Sequence, residues 1–112
     1  MRTITIMRTT IVVLLLLWGA TAFAQSSARD RRQAVEYLKL GQDLLRNEQF
    51  EKAGEAFTAS VKLDPLLELA HYGVGQVAMA TKQYPAAIKA YTACRDAFLN
   101  NAAESLSDTA IA

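Results

Sequence analysis

Apolar residues recur along this chain at three- and four-residue steps, interrupted by short polar breaks, and nowhere alternate as in a strand. That period belongs to amphipathic helices. The first such stretch holds Val35, Tyr37, Leu38, Leu40, Gly41 and Leu44. It carries two apolar faces, so it predicts a helix covered on one side by a partner and on another by something else. Asn47-Glu48-Gln49 is a polar break. A second helix follows from Phe50 through Ala53, Ala56, Phe57, Ser60 and Val61 to Leu63, and Asp64-Pro65 closes it. Proline disfavours helix in the residue before it and suits the first turn of the next. A third helix is predicted over Leu66–Ala80 and a second break over Thr81-Lys82-Gln83. A fourth helix then carries an inner stripe of Ala87, Ile88, Tyr91, Cys94 and Phe98. Asn100-Asn101 is read as its end, with a fifth, uncapped helical segment over 102–112.

The second pair of helices repeats the first at one fixed spacing. Leu40-Gly41 recurs as Val74-Gly75, Ala53 as Ala87, Phe57 as Tyr91 and Ser60 as Cys94. A constant period of about 34 residues marks a stacked array of helical hairpins. Glycine inside a helix costs about 1 kcal/mol relative to alanine. The same cost at the same place in both units, Gly41 and Gly75, predicts close helix contact there. Ala53 and Ala87 are small where helices cross, and Phe57 and Tyr91 fill the space between hairpins.

These residues resemble the tetratricopeptide repeat, whose pattern runs Trp-x-x-Leu-Gly-x-x-Tyr, Ala-x-x-x-Phe and Pro. The first unit reads Tyr37-x-x-Leu40-Gly41-x-x-Leu44, Ala53-x-x-x-Phe57 and Pro65. The second reads His71-x-x-Val74-Gly75-x-x-Ala78 and Ala87-x-x-x-Tyr91, with Leu99 where proline belongs. The resemblance implies an all-α fold of antiparallel hairpins stacked as a short right-handed superhelix, about two repeats plus a partial fifth helix. The units are 34–67 and 68–101, followed by 102–112 as a partial capping helix or the start of a third unit. It also implies a concave face lined by the first helix of each hairpin, which holds a protein or peptide partner. The residues placed there are Leu38, Gln42, Leu45, Leu69, Tyr72, Gln76 and Met79. Some family members grip a terminal carboxylate with a lysine-and-asparagine clamp. Here Gln42 stands in that row and Gly73 has no side chain, so no clamp is predicted.

Positions 1–24 read as a secretory signal peptide: Arg2 and Arg8, an apolar run from Ile11 to Trp18, and Ala22-Phe23-Ala24 before Gln25. The stretch from Ile11 to Ala24 falls short of the roughly 20 residues needed to span a bilayer. The segment looks bacterial, so the predicted location is the periplasm or outside the cell, within the bacterial envelope system. A membrane association is expected only if this segment is kept. Positions 25–33 read as a polar linker.

Removing Arg2 and Arg8 from the 12 basic residues, against 11 acidic ones, leaves a net charge of −1. Such a balance gives no footprint for nucleic acid. Arg29, Arg31 and Arg32, with Asp30 among them, read as a solvated stretch. Cys94 is the single cysteine, so there is no internal disulfide framework, and it is read as a small buried residue.

Catalytic chemistry is thin. His71 is the single histidine and holds a packing position, so no zinc site can be assembled from nitrogen and sulfur ligands. There is no phosphate-binding glycine loop and no nucleophile elbow. Glu48, Glu51 and Glu55 read as a solvated helix flank. The chain is therefore read as a non-enzyme without cofactor or metal: an exported interaction module acting as adaptor or scaffold. The alternatives are the front of a longer envelope protein whose main activity lies beyond residue 112, or a membrane-tethered scaffold. Two hairpins share a single repeat-to-repeat interface. The isolated chain is accordingly expected to be weakly stable or to self-associate through the open end of its second unit.

Overall fold

Two polar breaks fold the chain into two helical hairpins. The computed structural model describes residues 27–111, and the signal segment read over 1–24 lies outside them. The packing described below is that of the compact unit Arg31–Ala112. The helices are α1 over 27–46, α2 Phe50–Leu63, α3 Glu68–Ala80 and α4 Tyr84–Ile111. Among the described residues there is no strand. The fold is the all-α hairpin array that the period predicts.

Both breaks have one geometry. Glu48 and Lys82, one repeat period apart, take left-handed φ values of 58° and 60°. The Gln49 amide donates to the Leu44 carbonyl at 2.9 Å and the Glu48 amide to Leu45 at 3.0 Å. In the second turn Gln83 donates to Ala78 at 2.7 Å and Lys82 to Met79 at 3.1 Å. These are paired Schellman closures, which satisfy carbonyls that a helix end leaves open. The loop between hairpins is fixed differently. The Asp64 carboxylate accepts the Leu66 amide at 3.1 Å, so α3 begins at Glu68 rather than Leu66. The Pro65 carbonyl lies 2.7 Å from His71 Nε2. A carbonyl only accepts, so this nitrogen carries the proton. His71 thus serves the loop, in keeping with a structural role.

Two predicted boundaries are corrected. The linker expected over 25–33 is helical from residue 27 on. Its polar residues include no proline or glycine, so their composition reports exposure and not irregular backbone. The separate fifth segment also does not form: α4 runs unbroken for 28 residues through Asn100 and Asn101. Asn101 fails to end the helix because its amide is engaged elsewhere. Nδ2 donates to the Leu66 carbonyl at 3.0 Å and to Glu68 Oε2 at 2.6 Å. Leu99, standing where the family has proline, keeps its backbone donor and lets the helix continue.

The core lies where α1, α2 and α3 meet. Leu38, Ala53, Phe57 and Ala70 form its buried cluster, with Leu44, Leu45, Val61, Leu67, Val74 and Val77 packed around it. Phe57 is 0% exposed and is wedged between two glycines. A Cβ built on Gly41 would stand 2.7 Å from the Phe57 ring, and one on Gly73 2.5 Å from it. Both lie well inside the usual carbon contact of about 3.5–4.0 Å, so any side chain there would push the helices apart. Ser60, also 0% exposed, donates its hydroxyl to the Ala34 carbonyl at 2.6 Å, tying α2 to α1. α3 packs against both α2 and α4. On α4 the buried residues are Ala87, Ala90 and Ala97. Ile88 and Phe98, expected on the inner stripe, are exposed instead. Each follows one of the buried alanines in sequence, and Ile88 is the repeat equivalent of Gly54, which faces Val77 of α3.

Candidate functional site

The seven residues expected to line one face divide into two groups, because α3 stacks on only one side of α1. Leu38 is 6% exposed and belongs to the core cluster. Leu45 is half-buried and packed on the same cluster. Neither forms an open surface: α3 covers them. Leu38 and Leu45 are therefore withdrawn from the candidate face. Their equivalents one period later, Tyr72 and Met79, are 46% and 48% exposed, because no further hairpin covers α3 among the described residues.

The remaining residues hold matching register positions on α1 and α3. Leu69 and Gln76 are seven positions apart on α3, which is two helical turns. Gln42 is the α1 equivalent of Gln76, one repeat period earlier. Leu69 is 54% exposed, and both glutamines are half-buried. Val35, 37% exposed, completes the pattern as the equivalent of Leu69. The sequence-predicted face lacks Val35, although the period applied to Leu69 points directly to it. The face thus pairs an apolar side chain with an amide in each repeat, Val35 with Gln42 and Leu69 with Gln76. It carries no ionised group at these four positions.

Tyr72 stands at the corner between this face and the open end of the array. Its ring meets Tyr91 at a centroid distance of 5.6 Å and an interplanar angle of 47°, within the range of favourable tilted aromatic pairs. Tyr91 lies against Gly75, where an added Cβ would overlap its ring. Burial raises the Tyr91 phenol above its ordinary 10.0, and Tyr72 acts in the same direction. Tyr91 is therefore uncharged at neutral pH. Cys94, expected to be buried, is half-buried and free. Ser60 at the same repeat position is fully enclosed, whereas no later hairpin among the described residues closes over Cys94.

Among the described residues, no group of three or more His, Cys, Asp or Glu side chains could hold a metal ion, and no helix is long and apolar enough to cross a membrane. Titratable groups instead sit on the surface as short-range pairs. Lys39 meets Glu36 at 3.7 Å, Arg46 meets Asp43 at 3.3 Å, and Arg95 meets Asp96 at 3.0 Å. What the arrangement offers is a shaped surface, apolar with amide hydrogen-bonding groups. The family model described as tetratricopeptide repeat matches residues 38–102. Comparison with the curated proteins returns no match.

Proposed function

Since the chain belongs to the tetratricopeptide repeat family, we propose that it is an exported adaptor or scaffold that holds a protein or peptide partner against the concave side of α1 and α3. Stacked helical repeats present extended concave surfaces of this kind, and the family's units mediate protein–protein interaction. The observation that carries the reading is the row Val35, Gln42, Leu69 and Gln76, exposed at its two aliphatic positions and half-buried at its two amides, which alternates apolar and amide groups across the two repeats. A peptide with apolar side chains suits it: the aliphatic residues take those side chains, and each glutamine can both donate to and accept from peptide backbone. Export is supported by the basic start, the apolar run and Ala22-Phe23-Ala24, and a bacterial periplasm is the compartment this layout suits.

The binding half is tested with a peptide selected against the full chain from a random displayed library. Leu69→Glu buries a carboxylate against the peptide and is expected to weaken binding by about tenfold or more. Gln76→Ala should weaken it less, and both variants should keep their helical circular dichroism. Unchanged affinity in both would move the site off this face. The export half is tested by the intact mass of protein recovered from the exporting cell. A mature chain beginning at Gln25 is expected, and a mass that still includes Met1 to Ala24 would contradict export with cleavage.

A further inference from the structure

The two ends of this array differ in kind. Where α3 presses on the first hairpin it presents Ala70, Gly73 and Val77: Ala70 joins the Phe57 cluster, Gly73 touches the Phe57 ring, and Val77 lies 3.4 Å from a Cβ built on Gly54. The same three positions on α1, one repeat period earlier, are Glu36, Lys39 and Asp43, of which Glu36 and Lys39 pair with each other and Asp43 with Arg46. The leading end is thus charged. It is also sterically closed to stacking, since Lys39 stands where even one methyl group would strike an aromatic ring. Leu40 beside them lies against α2, in a groove with Tyr37, Leu44, Lys52 and Glu55.

The trailing end is the reverse. Leu38, Leu45, Gly54, Phe57 and Val61 form the first hairpin's contact with the second, and their equivalents are Tyr72, Met79, Ile88, Tyr91 and Arg95. Ile88 is 68% exposed. Four of the five are apolar or aromatic, and the fifth is a cation held by the adjacent Asp96, with Arg95 Nε at 3.2 Å and Nη2 at 3.0 Å.

We propose that this trailing face is a homodimer interface, in which two copies meet tail to tail about a two-fold axis. A head-to-tail contact would bring Tyr91 of one copy onto Lys39 of the next, so it is excluded by shape and by desolvation of the Glu36–Lys39 pair. A two-fold contact needs only a self-complementary patch. The face is one: apolar residues meet their own kind, and Arg95 meets the partner copy's acidic group while offering Asp96 in return. Half-exposed side chains, the aromatic ones being roughly 150–250 Å², give Tyr72, Met79, Ile88 and Tyr91 on the order of 300 Å² of apolar area. Two copies bury about twice that, at the small end of specific interfaces, which lie below about 1,200 Å² for transient complexes. The dimer is accordingly weak and concentration-dependent. This inference goes beyond the adaptor reading and does not depend on it.

Sedimentation equilibrium of the full chain tests it across a wide concentration range. The average mass should rise with concentration and level off at that of two chains. Ile88→Glu should lower the association constant by about tenfold or more with helical circular dichroism unchanged. Arg95→Asp should weaken association, and adding Asp96→Arg to it should restore it. Leu69→Glu, on the candidate peptide face, should dimerise normally, so failure of the adaptor reading is separable from failure of this one. A single-chain mass at every concentration, growth into oligomers larger than two, or association indifferent to Ile88→Glu and to the charge swap would overturn the proposal.

Discussion

Phe57→Ala is expected to cost about 3–5 kcal/mol, the range for truncating a fully buried phenylalanine. A small domain has only about 5–15 kcal/mol in total, so this one substitution removes a large share of the fold's stability. Phe57 is the ring on which both hairpins close: it is 0% exposed, with Gly41 on one side and Gly73 on the other. Its loss leaves a cavity between Gly41 and Gly73, neither of which has a side chain to move into it. At about 4–8 °C per kcal/mol for a domain of this size, the melting temperature should fall by more than about 12 °C. Thermal and urea unfolding followed by circular dichroism measure this. A fall of only a few degrees would show that Phe57 does not hold the hairpins together.

Gly73→Ala is expected to be the next most damaging change, although alanine is the better helix former by about 1 kcal/mol. The new methyl would stand 2.5 Å from the Phe57 ring, and the ring has no room to retreat because Gly41 backs it. Overpacking of a filled site costs about 1–3 kcal/mol, against a propensity gain of about 1 kcal/mol, so a net loss of up to about 2 kcal/mol should appear in urea unfolding. The cause is checked by combination. In a Phe57→Leu background the flat ring is gone, and Gly73→Ala should lose much of its penalty, since touching residues couple. Gly54→Ala gives the contrast: its Cβ would meet only Val77, at an ordinary 3.4 Å. That change should be neutral or slightly stabilising. Equal losses at Gly54 and Gly73 would mean that helix packing at Phe57 is not the reason for the glycine.

The hairpin architecture is legible in the sequence because it rests on local, repeated chemistry. Gly41 and Gly75 in register, Ala53 and Ala87 at the crossings, and matched polar breaks each state a close contact or a reversal without reference to distant residues. What depends on the neighbour of a residue is harder to read. Leu38 and Tyr72 hold the same repeat position, yet one is buried and the other half exposed, since α3 covers only the first. Periodicity assigns both to one face and cannot show which hairpin lies beyond it. Ile88 and Phe98 escape the inner stripe for a related reason: an apolar side chain on α4 has the same signature whether it faces the hairpin partner or the open end. Gly73 is hidden as a packing residue because its equivalent is Lys39, so the period conceals it. Asn100-Asn101 reads locally as a helix end, and only the reach of Asn101 to Leu66 and Glu68 explains why it is not one. Of the candidate face, Gln42, Leu69 and Gln76 stand in the sequence, Val35 is recoverable from the same register, and Leu38 and Leu45 require the structure to remove them.

The central claim is that a polypeptide partner lies along one side of α1 and α3. Backbone amide shifts in nuclear magnetic resonance test it most directly, with the full chain titrated by the selected peptide at a concentration below its self-association range. The predicted result is a continuous track of perturbed amides through Val35, Gln42, Leu69 and Gln76, with Lys52, Glu55 and Lys89 on α2 and α4 left unmoved. A track confined to α2 and α4, or shifts scattered without any face, would contradict it.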